Sequence, residues 1–287
     1  MIRAQGAILK SATLTAHDHK ILKLEDPKVN ADRNNQLTLE NRVPKVTWDF
    51  WGIKLLAVTM GETAADFLNA QLGLGLTNTS LIMGAVLAIA LVFQFRQKRY
   101  VPVYYWIAVV LMSIVGTLVT DNLVDNFGVA LSTTSIIFAI ALAATFAVWY
   151  ASERTLSIHT IFTNAREAYY WLAILFTFAL GTAFGDYMAE ALSLGYLSAG
   201  LIFGAVIAAI YMAYLFLGLN GIAAFWAAYI LTRPLGASFG DLLSQPVANG
   251  GLGVGPVITS AAFLGVIAAL IIYMTVTHDG NEVETRS

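Results

Sequence analysis

The sequence predicts an all-α membrane protein with eight transmembrane helices. They form four tandem two-helix repeats, arranged pseudo-fourfold, or as two pseudo-twofold halves, about the membrane normal. Three observations predict this. The composition is 58% hydrophobic and only 12% charged, about half the charge fraction usual in a soluble domain. Eight apolar stretches each approach the ~20 residues that a helix needs to cross a bilayer. Finally, a tryptophan recurs four times, followed ten residues later by a glycine and after five more by an aspartate. The sets are Trp51, Gly61, Asp66; Trp106, Gly116, Asp121; Trp171, Gly181, Asp186; and Trp226, Gly236, Asp241.

Residues 1–45 are polar and hold eight of the sixteen Lys and Arg residues. They contain no apolar run, so they read as a flexible cytoplasmic tail rather than a cleaved signal peptide. His17-Asp18-His19 within it reads as a solvated loop. The expected spans are 47–72, 79–95, 102–127, 131–151, 168–192, 197–218, 222–245 and 256–277. Their Val and Ile content would suit strands, but strands rarely run this long. The transmembrane domain is therefore 46–277, with repeats at 46–99, 100–154, 166–219 and 220–277, and 278–287 is a polar cytoplasmic tail.

Orientation follows from the loops. Arg96, Lys98 and Arg99 follow the second span, and Arg154 and Arg166 follow the fourth, whereas 73–78, 128–130, 193–196 and 246–255 carry no Lys or Arg. The positive-inside rule then places both termini in the cytoplasm. On this reading Tyr100, Tyr104, Tyr105, Trp106, Tyr169, Tyr170 and Trp171 are interfacial anchors.

The aspartates are spaced 55, 65 and 55 residues apart, so the loop joining the halves carries about ten extra residues. The halves also share Leu81-Ile82-Met83-Gly84-Ala85-Val86 and Leu201-Ile202-Phe203-Gly204-Ala205-Val206 without a gap. With two spans per unit, the four leading helices run in the same direction and the repeats are parallel. Each leading helix carries a small residue four positions after the shared glycine (Ala65, Thr120, Gly185, Gly240), which lets helices approach closely.

Charge inside these helices is the functional clue, because an ionisable group at membrane depth is costly. Glu62, Asp66, Asp121, Asp125, Asp186, Glu190 and Asp241 are accompanied only by Lys54 and Arg233, a net −5 if all are ionised. Protonation of some acids, a bound cation or hydration must relieve that charge. Oxygen ligands without Cys or His favour Mg²⁺, Mn²⁺ or Ca²⁺. Asp66, Asp121, Asp186, Asp241, Glu62 and Glu190 are the expected metal ligands. Asp125, Arg233 and Lys54 are expected to supply charge balance, with Lys54 snorkelling to the cytoplasmic face. Arg233-Pro234 is expected to kink or interrupt the seventh span. The competing reading makes the aspartates caps that bond to loop amides in a packing scaffold.

The segments Thr59-Met60-Gly61-Glu62-Thr63-Ala64-Ala65-Asp66, Leu180-Gly181-Thr182-Ala183-Phe184-Gly185-Asp186 and Tyr229-Ile230-Leu231-Thr232-Arg233-Pro234-Leu235-Gly236-Ala237-Ser238 resemble the bacterial family of uncharacterised membrane-anchored proteins. The resemblance covers about residues 43–277. It implies four tandem two-helix repeats of unknown function, each with a characteristic tryptophan, in a bacterial inner membrane. It supplies no substrate.

The functional expectation is a transporter of a small cation, such as the divalent Mn²⁺, with proton-linked carboxylates. The alternative is a non-transporting membrane scaffold or sensor. The expected partners are the lipid bilayer, a small inorganic cation and protons, with no nucleic acid and no cofactor beyond the transported ion. No enzyme is expected, because no nucleophile–base pair accompanies the acids. Gly251-Leu252-Gly253-Val254-Gly255 has no preceding strand and is not a nucleotide loop.

Overall fold

The computed structural model describes residues 40–71 and 73–284. Residues 1–39 of the tail expected over 1–45, with His17-Asp18-His19, lie outside the described residues, as do 285–287. Among the described residues there are eight long helices and no strand. They are α1 (Trp48–Asp66), α2 (Leu76–Phe95), α3 (Pro102–Asp121), α4 (Leu131–Glu153), α5 (Asn164–Asp186), α6 (Tyr196–Phe216), α7 (Gly221–Ser244) and α8 (Pro256–Glu284).

Local chemistry sets the ends. Thr47, Thr163 and Asn220 cap α1, α5 and α7 by accepting from backbone amides of the first turn, and Pro102 opens α3 at a position where its missing amide costs nothing. Gly75 and Gly195 precede α2 and α6 with φ of 74° and 77°, a conformation in which a side chain would be strained. α8 stays helical beyond the expected end of its span, to Glu284.

The odd-numbered helices form the inside. α1 packs on α3 and α7, and α5 packs on the same two, closing a ring. Each even-numbered helix lies outside, chiefly against the inner helix of the next repeat: α2 on α3, α4 on α5, α6 on α7 and α8 on α1. Repeats are thereby stitched to one another, since no hairpin buries its own faces.

Six helices are long and apolar enough to cross a membrane, those starting at Leu76, Pro102, Leu131, Asn164, Tyr196 and Pro256. The outer ones expose large side chains to their surroundings, among them Leu81, Ile89, Ile136, Ile140, Leu201 and Ile258. Apolar surface on that scale belongs in lipid. α1 and α7 are the two more polar helices. They hold Lys54, Glu62, Asp66, Arg233 and Asp241, and they sit in the ring where apolar neighbours enclose them.

Residues 41–43 lie against the loop that joins the halves. Asn41 donates to the Ile158 carbonyl at 2.9 Å and Arg42 N to the Ile161 carbonyl at 3.1 Å. Arg42 pairs with the fully buried Glu167 at 2.8 Å, and Gln94 donates to the same carboxylate at 2.8 Å.

Candidate functional site

The ring is held by two layers of contacts, each passing from one repeat to the next. At the end where the inner helices begin, the residue before each shared tryptophan packs at a tilt against the tryptophan of the following repeat. Ring centroids are 5.8 Å apart for Phe50–Trp106, 5.5 Å for Tyr105–Trp171, 6.2 Å for Tyr170–Trp226 and 5.7 Å for Phe225–Trp51. Tyr105 and Tyr170 also share a hydrogen bond of 2.5 Å. Trp106, Trp171 and Trp226 are at most 5% exposed. The expected anchoring role of Tyr105, Trp106, Tyr170 and Trp171 is therefore corrected. These rings fill the core and plug one end of the bundle, because aromatic area buried between helices outweighs what an interface offers.

The shared glycines form the second layer. A Cβ on Gly61 would overlap Ser113, one on Gly116 would overlap Phe178, one on Gly181 would overlap Arg233, and one on Gly236 would overlap Val58. Each of those four neighbours stands three residues before its own repeat's glycine. The glycine is thus the slot into which the adjoining inner helix inserts a side chain.

In the fourth repeat that inserted side chain is Arg233, and it is fully buried. Its Nη2 donates to Glu62 Oε2 at 2.7 Å, to Thr182 Oγ1 at 2.7 Å and to Thr117 Oγ1, and its Nη1 donates to the Val58 carbonyl at 3.4 Å. Glu62, Thr117 and Thr182 each directly follow their shared glycine. One guanidinium nitrogen from α7 therefore reaches the same position on each of the other three inner helices, its two hydrogens shared among three acceptors. The expected interruption at Pro234 is absent. α7 runs through it, and the proline ring packs on Gly185.

Lys54 differs from expectation. It is fully buried and does not snorkel: Nζ donates to the Tyr229 carbonyl at 2.9 Å and to Thr232, and stands 3.8 Å from the Tyr229 ring centre. The physical reason is that α1 belongs to the inner ring, so its stem is enclosed by α7 and cannot reach water. Backbone, hydroxyl and ring face replace the counter-ion.

Beyond the arginine, the inner helices end around a polar cavity of about 170 Å³. Glu62, Asp66, Asp121, Asp125, Asp186, Glu190 and Asp241 all line it, with Asn69 and Gln245. Asp241 and Glu62 are buried, Asp66, Asp121 and Asp186 are half-buried, and Asp125 and Glu190 are exposed at the rim. Right after Asp66, Asp121 and Asp186 the chain loosens into five-residue π turns, Phe67–Gln71, Asn122–Asn126 and Tyr187–Ala191. π turns are rare and gather at functional sites. The fourth repeat lacks one and ends on Gln245, whose amide donates to Asp66 at 3.4 Å.

All four inner helices point their carbonyl ends at this cavity, so their dipoles add negative potential to seven carboxylates. Among the described residues, Asp121, Asp125, Asp186 and Asp241 receive no hydrogen bond from the protein to their carboxylates. Tyr196 donates to Glu190 at 3.0 Å. Among the described residues, no group of three or more His, Cys, Asp and Glu side chains is arranged to hold a metal ion. What the arrangement offers is a hollow of acceptors and negative potential.

The structure thus brings together the seven predicted acids, sets Arg233 beneath them and leaves Lys54 outside the cavity. Sequence reasoning missed Thr117 and Thr182 as arginine partners. Their alignment with Glu62, directly after the shared glycine, was the available signal.

Comparison with known proteins agrees on the repeat. A family model described as Repeat of Unknown Function (DUF347) matches residues 50–100, 104–155, 169–219 and 224–279. No curated protein and no solved structure matches the chain.

Proposed function

This chain belongs to that repeat family, and from this premise we propose that it is an integral membrane transporter of a small inorganic cation, a divalent ion such as Mn²⁺. In this reading all eight helices cross a bacterial inner membrane, pseudo-fourfold about its normal, with both termini cytoplasmic. α1 and α7 cross it shielded by their apolar neighbours.

One observation carries the reading. Aspartates from all four repeats line a single cavity and, among the described residues, three of the four receive no hydrogen bond from the protein; only Asp66 is reached, by Gln245. A packing scaffold would use such groups as caps on loop amides. Carboxylates left without donors at four helix carbonyl ends call for a cation or for protons. The hollow of about 170 Å³ has room for roughly five water volumes, and Mg²⁺-like ions keep several waters while leaning on a few carboxylates.

Asp66, Asp121, Asp186 and Asp241 hold the hydrated ion, and Asp125 and Glu190 gather it at the rim. Glu62 exchanges protons as its pairing with Arg233 changes. The arginine and the aromatic layer close the other end, so passage requires the Arg233–Glu62 pair to part. Flux of Mn²⁺ and protons into proteoliposomes tests this, comparing wild type with Asp66→Asn and Asp186→Asn. Loss of both fluxes in the variants supports the reading, and equal flux in all three defeats it. A wild type with no flux for any cation favours the scaffold.

A further inference from the structure

A second hollow is unrelated to the acids. A groove of about 990 Å³ runs between α1, α6 and α7. Its walls are apolar or small, with Trp51, Leu55, Ile207, Ala208, Phe225 and Leu235 among them. Of its polar residues, Thr232 lies further along α7, while Thr47, Ser157, His159 and Asn220 gather at one end. Thr47 and Asn220 cap the starts of α1 and α7 there, and Ser157 and the exposed His159 come from the loop between the halves. That loop contains the ten-residue excess between the second and third repeats, and it gives the groove a polar mouth.

We propose that the groove holds one acyl chain of a membrane phospholipid, with its phosphate at the mouth. The dimensions fit. From Asn220 to Leu235 the groove follows α7 for roughly 22 Å at 1.5 Å per residue, which matches one leaflet of a bilayer ~40–45 Å thick from headgroup to midplane. The chemistry fits as well. The α7 amino end faces the mouth with its positive dipole and no acid in its first turn, its Ile222 and Ala223 amides being taken by the Asn220 cap, whereas α1 already carries Asp49 there. His159 adds a donor beside it. The apolar length faces sideways among exposed Tyr211 and Tyr214, the direction from which a lipid enters. The chain's own residues 1–39 are a poorer occupant, being mostly polar.

Native mass spectrometry of the full chain, extracted in mild detergent and delipidated stepwise, tests this. The wild type should keep one phospholipid per chain after bulk lipid is gone, and should keep diacylglycerol less well. Filling the groove with Ala208→Trp or Ala228→Phe should lower retention roughly tenfold, a change of about 1.4 kcal/mol. His159→Glu, an exposed substitution that leaves the fold alone, should lower phospholipid retention but not diacylglycerol retention. The proposal is overturned by a wild type that retains no lipid, or by equal retention in the filled variants and His159→Glu. It is also overturned if lipid binds only after deletion of residues 1–39, which would mean that the chain fills its own groove.

Discussion

Arg233 Nη2 lies 2.7 Å from Glu62 Oε2, both side chains buried where the four inner helices meet. Removing one partner of a buried pair leaves a charge without compensation and costs about 3–5 kcal/mol, whereas replacing both with neutral groups costs far less. Arg233→Met and Glu62→Gln should each lower thermal stability in detergent strongly. The double variant should recover a large part of that loss, and a thermal-shift double-mutant cycle measures the coupling.

The glycine slots make a geometric prediction. Gly236→Ala places a methyl group into Val58 and should cost about 1–3 kcal/mol as an overpacked contact. Val58→Ala in the same chain should restore part of it. Gly52→Ala is the control, because nothing lies within 4 Å of a Cβ there, and alanine in a helix should be neutral or stabilising by up to about 1 kcal/mol. Comparative unfolding of the three variants decides.

The tryptophans separate by burial rather than by repeat. Trp106→Ala removes a side chain that is 0% exposed and should cost about 3–5 kcal/mol. Trp48 is 79% exposed, so Trp48→Ala should stay within about 0.5 kcal/mol. The same unfolding series measures both.

Much of this was legible in the chain. Helix number, the four-unit repeat and the parallel inner helices follow from the spacing of Trp, Gly and Asp, because hydrophobic length and repeat period are local properties. The convergence of the acids followed from that parallelism. The fate of individual side chains did not follow. Trp106 and Tyr105 look interfacial by position, yet ring closure buries them. Lys54 looks able to snorkel until α7 is seen to cover it. Only the ring contacts, between residues 56 to 178 positions apart, decide these cases. The π turns after Asp66, Asp121 and Asp186 have no propensity signal, since an i+5 bond is chosen by what the helix end must enclose.

The shared carboxylate cavity is tested most directly by titrating purified protein with Mn²⁺ and following free ion by electron paramagnetic resonance. One Mn²⁺ should bind per chain. Asp66→Asn, Asp121→Asn, Asp186→Asn and Asp241→Asn should each weaken it by a similar factor of roughly ten, about 1.4 kcal/mol per carboxylate. Wild-type protein that leaves Mn²⁺ free, or four variants that bind as the wild type does, would contradict a cation site built jointly by the four repeats.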